Sequence, residues 1–166
     1  AAGGCPPADP PAGSSLAAKR HLASSQETTI ISSMTQTAAA LRAKYPKLFP
    51  NGAPGFDCKD GWLDLIDQLC AQLQAAADAG QIDQPIAVQV KEKFGTMRFY
   101  AYPRAGLALD WTREAERASG TVCEVCGAPG QIRRSGLCFM TRCDACAPAG
   151  AAIYDRDKDG QLQSRS

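Results

Sequence analysis

Histidine is nearly missing from this sequence: among 166 residues the only one is His21. Elsewhere the chain has no side chain that ordinarily titrates near neutrality and no imidazole ligand. This excludes Ser-His-Asp and Cys-His hydrolases, histidine-ligated nucleases and histidine-bearing zinc enzymes from the body of the protein. A zinc-deaminase pattern is absent too, since no HxE or CxE pairs with a PCxxC. Net charge is also lacking. With 18 Lys and Arg against 17 Asp and Glu the balance is +1, so no global field draws the protein to nucleic acid or an anionic membrane, and any such binding requires a local patch. No apolar run approaches the roughly 18 to 20 residues that span a bilayer, and the first residues lack the apolar stretch of a secretory signal. The expected setting is the cytosol, with no membrane partner. Thiols stay reduced there, so the eight cysteines are read as metal ligands and free thiols rather than disulfides.

The hydrophobic content, 45%, is ordinary for a globular chain and is enough for one modest core. Residues 1–33 are dominated by Ala, Gly, Pro and Ser and then by a polar run. Such a segment cannot offset its chain entropy by apolar burial and reads as a disordered tail, with Met34 opening the working part of the chain. A helix is expected in MTQTAAALRAKYPKLF, followed by turn chemistry in LFPNGAPGFD. Next, Trp62, Leu63, Ile66, Leu69, Cys70 and Leu73 recur at helical spacing, with Asp60 as N-cap and Gly80 as terminator. Ile86, Val88 and Val90 alternate with Ala87, Gln89 and Lys91, and Met97, Phe99 and Ala101 alternate with Arg98, Tyr100 and Tyr102. This is the pattern of a β-hairpin over 86–102 turning near Gly95, from which Phe94 and Phe99 can pack on the Trp62 helix. A third helix is expected over 107–119, with Leu107, Trp111, Ala115 and Ala118 as its apolar stripe.

The strongest motif follows. Cys123 and Cys126 form one CxxC, with Gly127 immediately after to let the backbone fold under a metal, and Cys143 and Cys146 form a second. The sixteen residues between the pairs match the spacing of a four-cysteine zinc site. Between them Gln131–Arg134 and Leu137–Arg142 read as a short hairpin turning at Ser135 and Gly136, which makes residues 121–150 a zinc ribbon or a treble-clef-like finger. Four thiolates would form a closed tetrahedral site around one structural Zn2+, with no position for a catalytic water. Cys138, inside the hairpin, is read as a small buried residue, and residues 151–166 as a flexible tail.

Other candidates carry less chemistry. Lys91, Lys93 and Arg98 on the first hairpin, and Arg133, Arg134 and Arg142 on the second, are interleaved with Phe94, Tyr100 and Tyr102, a composition that grips phosphates and stacks bases. Glu92, Glu114, Glu116 and Glu124 sit close by, as on an ordinary mixed surface. Asp57, Asp60, Asp64 and Asp67 can in principle hold magnesium, yet Asp60, Asp64 and Asp67 fall on the face opposite Trp62 and Ile66, as solvated residues do. DRDKDG at Asp155 to Gly160 imitates the opening of a calcium loop but lacks the closing Glu.

At KEKFGTMRFY, followed by AERAS, CEVCGAPG and TRCDAC, with GWLDLIDQLC upstream, the chain resembles a family of small proteins from tailed phages and prophages. The likeness runs from about Met34 to Cys146. It implies a phage or prophage protein acting in the cytoplasm of a bacterial host, and it implies no activity. It also favours the four cysteines as ligands. The chain departs from the family pattern in its long Ala/Pro/Gly-rich start and at Cys138, where an aromatic or aliphatic residue is expected. The sequence as a whole predicts an α+β fold: a helical and β-hairpin domain over 34–120 with a zinc finger behind it. The predicted role is non-catalytic, binding a partner protein or, alternatively, nucleic acid.

Overall fold

The structure, a computed structural model, describes residues 36–157 and 160–165. The segment 1–33, with His21 and Cys5, lies outside the described residues, as does Met34.

The first helix, α1 (Ala38–Lys44), starts where the Thr37 hydroxyl accepts the Ala40 N–H at 3.1 Å, a side-chain cap on an otherwise orphaned donor. It ends just before Pro46, which disfavours helical backbone in the residue ahead of it. Leu41, Tyr45, Leu48 and Phe49 are all buried. A two-residue strand β1 (Phe56–Asp57) and a 3-10 turn over Asp60–Trp62 then lead into α2 (Leu63–Asp78). Asp60 begins that turn, but no side chain caps it. The expected face is correct: Leu63, Ile66, Leu69, Cys70 and Leu73 are buried while Asp64, Gln68 and Ala71 are exposed. Gly80, at φ +69°, ends α2; its own N–H bonds to Ala77 O and that of Gln81 to Ala76 O, the paired capping pattern that a left-handed glycine permits.

The hairpin consists of β2 (Ile86–Lys93) and β3 (Thr96–Tyr102), antiparallel, with β1 parallel on the outer edge of β2. Met97, Phe99 and Ala101 face the core as their alternation predicts. On β2 the expectation is half wrong. Ala87 and Val90 are buried while Ile86 and Val88 are 45% and 47% exposed, because the register shifts between Ala87 and Gln89. One extra residue in a strand inverts the facing of everything on one side of it. Phe94 does not reach the Trp62 helix; it sits at the turn at φ +53° and is 58% exposed, while Phe99 is fully buried.

The third helix, α3 (Gly106–Ala118), packs on β3 with Ala108, Thr112 and Ala115 buried; of the expected stripe Ala115 is buried and Ala118 half-buried. Leu107 is exposed and Trp111 only partly covered. Small residues let the helix approach the sheet closely, and the Thr112 hydroxyl is satisfied by donating to Ala108 O at 2.6 Å, so a polar residue sits in the stripe at little cost. Trp62, Ile66, Val90, Met97 and Phe99 join α2, the hairpin and α3 in one apolar cluster.

After a 3-10 turn at Ser119–Thr121 the chain builds a second sheet from β4 (Gln131–Ser135), β5 (Cys138–Arg142), β6 (Ala152–Arg156) and β7 (Leu162–Ser164), in the order β5-β4-β6-β7. The last two strands correct the expectation of a flexible tail over 151–166. Residues 152–153 pair with β4, and of the calcium-loop look-alike Asp155 and Arg156 belong to β6, while Asp157 N–H donates to Gln161 O at 2.9 Å. The segment is polar, and its order comes from completing the ladder beside β4, a partner its own composition does not reveal. No helix among the described residues is long and apolar enough to cross a membrane.

Candidate metal centre

The four cysteines of the two CxxC pairs converge. The sulfurs of Cys123, Cys126, Cys143 and Cys146 lie within 4.8 Å of one another, with Cys126 Sγ 3.6 Å from Cys143 Sγ and 3.7 Å from Cys146 Sγ. These separations are far too long for disulfides. They match a tetrahedron with metal–sulfur bonds of about 2.3 Å, whose edges are about 3.8 Å. The donor set and its spacing fit a metal ion, and no other group of metal-binding side chains gathers among the described residues. Asp57, Asp60 and Asp64 are exposed and belong to no such group, and Asp67 is held by Lys44 at 2.8 Å and by the Tyr45 hydroxyl at 2.5 Å, tying α1 to α2.

Local backbone explains why the first pair aims inward. Gly127 N–H donates to Cys123 O at 2.9 Å, Cys123 N–H to Ala128 O at 2.8 Å, and Gly127 sits at φ +75°, a tight knuckle that a residue with a Cβ disfavours. The second pair lies where β5 ends and a single 3-10 turn runs over Asp144–Cys146. A strand follows, and no α-helix comes after this turn among the described residues. Burial alone would raise the Cys123 thiol, but backbone N–H groups of Cys143, Cys126 and Val125 outweigh it and bring its pKa down to about 7. Cys146 is pushed up to about 12 by desolvation and by its neighbours Cys143 and Cys126. The lowering at Cys123 favours the thiolate, which is the form of cysteine that binds a metal. Away from it, burial raises Cys58 to about 12 and Cys70 higher still, which suits inert core thiols. Cys138 stands outside the cluster and is half-buried, where the sequence predicts a small buried residue.

The knuckle is clamped to the rest of the protein by residues whose role the sequence does not announce. Gly61 N–H donates to Glu124 O at 2.9 Å and the indole Nε1 of Trp62 donates to Val122 O at 2.8 Å. A Cβ on Gly61 would fall 2.3 Å from Cys123 O and 2.7 Å from Gly127 N. Gly61→Ala is therefore expected to destabilise the metal-loaded protein by about 1 to 3 kcal/mol, the usual cost of overpacking. Gly55→Ala, where the added carbon meets only the Arg42 guanidinium at 3.9 Å, is expected to stay within about 0.5 kcal/mol. Thermal denaturation of the two variants checks this.

The basic residues divide. Arg142 is buried and its Nη2 lies 2.8 Å from the carboxylate of Glu124, itself buried. Arg133 is buried too, donating through Nε to Arg142 O at 3.3 Å and ion-paired with Asp144. Arg134 donates to Gly136 O at 2.8 Å and lies over the Phe139 ring. These three hold the module together. Lys91 and Lys93 stand over the Tyr100 and Phe94 rings, and Arg98 bonds to Thr96 and to Met97 O. The six residues therefore do not form one surface. Compared with family models, curated proteins and solved structures, the chain finds no match.

Proposed function

We propose that this chain is a non-catalytic binding protein of phage or prophage origin, that its C-terminal module is a ribbon-like finger held by one structural zinc ion, and that it acts in the bacterial cytoplasm by engaging a partner protein. The four-sulfur centre carries the reading. All four donors are thiols, so a tetrahedral metal is fully coordinated and has no site for water or substrate. The knuckle–hairpin–turn order around the cysteines supports a ribbon over a treble clef. The partner surface in this reading is the outward face of the hairpin, where Ile86 stands opposite Tyr102 in register and both, with Val88, are exposed. The likeness at KEKFGTMRFY supplies the phage setting.

Native mass spectrometry and elemental analysis of protein purified from bacterial cells test it: one zinc per chain, no nucleic acid, and a stoichiometric protein partner that Ile86→Asp/Tyr102→Ser abolishes while zinc content and melting temperature hold. Iron in place of zinc, or turnover of a substrate by a chain with no partner, would sink it. A second reading, nucleic-acid binding, draws on Lys91 and Lys93 beside exposed Phe94 at the hairpin tip. Co-purifying nucleic acid that Lys91→Glu/Lys93→Glu removes would put it first.

A further inference from the structure

Away from the metal centre, α3, β3 and the β6–β7 hairpin enclose a cleft of about 720 Å³, within the size range of small-ligand sites. We propose that this cleft binds a small anion bearing two or more phosphate groups, of about nucleotide size, on Arg98, Arg113, Arg117 and Arg156. The inference stands independently of the partner-protein reading.

Five arginines and three acidic residues line the cleft, and the acids are already engaged. Asp155 is held by Arg165 through two contacts of 2.8 Å. Glu116 accepts the Phe99 N–H at 3.4 Å and lies 3.8 Å from Arg104, which is not among the lining residues. The Asp157 carboxylate accepts from Gln161 N–H at 2.8 Å and from the Gln163 amide. Setting aside Arg165 with Asp155, four guanidinium groups face two carboxylates, those of Glu116 and Asp157, so positive charge is in excess.

Two of these are fixed in place by uncharged acceptors, which orient them without neutralising them. Arg98 donates to Thr96 Oγ1 at 2.6 Å and Met97 O at 2.8 Å, and Arg156 to Gly160 O at 2.8 Å and Phe94 O at 3.1 Å. The other two, Arg113 and Arg117, are one turn apart on α3, exposed, and without an ion pair among the described residues. Burial and the neighbouring Arg98 charge hold the Arg156 guanidinium below its ordinary pKa, a sign that like charges are crowded here. An anion placed between them relieves that repulsion. The guanidinium fork matches phosphate oxygens two at a time, and cations converging from three elements suit several phosphate groups on one compact molecule. A nucleic-acid track would need cations continued along a surface, whereas on α3 Asp110 and Glu114 alternate with the arginines.

The test uses the metal-loaded full-length chain and inorganic tripolyphosphate as probe, followed by calorimetry at two salt concentrations. Binding is expected that weakens with salt, drops about tenfold or more in Arg113→Gln/Arg117→Gln, and is unchanged in Lys91→Gln/Lys93→Gln. Arg113, Arg117 and Lys93 are exposed and Lys91 is half-buried, and an unchanged melting temperature without ligand confirms folding of both variants. No binding at millimolar probe, equal affinity in the α3 double variant, or tighter binding of a single-stranded oligonucleotide that depends on Lys91 and Lys93 would each overturn the proposal. The last outcome would assign the phosphate contacts to the hairpin tip.

Discussion

Chelating the metal is expected to unfold the C-terminal third of the chain while the helices and first hairpin stay folded. The asymmetry follows from where apolar surface is buried. The main cluster is built from α1, α2, β2, β3 and α3, and among the described residues beyond Ser119 only Val122 packs against it, partly buried. The module's own buried apolar residues are Cys123, Ile132 and Met140, set among buried Thr141, Glu124, Arg133 and Arg142. Ile132 and Met140 are a small apolar interior for a module of this length, so the metal supplies folding free energy that apolar burial does not. A thiolate-bound zinc contributes on the order of 10 kcal/mol. Hydrogen exchange with and without a strong chelator reads the result: amides of β4 and β5 lose protection on chelation, and those of α2, β2 and β3 keep it. Cys126→Ser, which removes the exposed ligand, acts in the same direction. Full protection of β4 and β5 in the metal-free protein would contradict the structural role.

Arg142→Met is expected to cost about 3 to 5 kcal/mol, because it strands the Glu124 carboxylate in a buried site. Desolvation already raises the Glu124 pKa, against which Arg142 is the main opposing charge, and Glu92 adds a second negative group to the same region. The guanidinium is itself incompletely satisfied among the described residues, since its Nε and Nη1 have no hydrogen-bond partner. The pair is consequently costly to bury, and Arg142→Met/Glu124→Leu should recover much of the loss. Denaturant unfolding of the single and double variants measures this coupling. A single-variant loss below about 1 kcal/mol, the level of an exposed ion pair, would show that the pair is solvated rather than structural. The same experiment separates Arg142 from a phosphate contact, whose removal would leave stability largely unchanged.

Some of this architecture was legible because its causes are local. The four metal-ligand candidates are fixed by two CxxC pairs and the length of hairpin between them, a constraint contained in about two dozen residues. The face of α2 follows from its own 3.6-residue period, and its end from a glycine free to take φ +69°. The inward side of β3 follows from strict alternation. Positions whose environment comes from distant chain were misread. Val88 sits at the register shift, and a single inserted residue leaves no mark on hydrophobicity. On α3 the sheet selects the smallest residues over Leu107, a preference set by how closely β3 approaches. Residues 152–156 and 162–164 are too polar to signal order, and become strands because β4 leaves an edge to pair and β6 in turn pairs β7.

By itself, then, the sequence determined a mixed helix and hairpin chain and a four-thiol set at metal spacing, since both depend on separations of a few residues to a few turns. Only the tertiary structure decided that Gly61 and Trp62 clamp the knuckle, that Arg133 and Arg142 are internal, and that Arg98, Arg113, Arg117 and Arg156 face one cleft. Burial, ion pairing and the convergence of like charges are relations between positions from 11 to 60 residues apart, and no local pattern encodes which segment a side chain will meet.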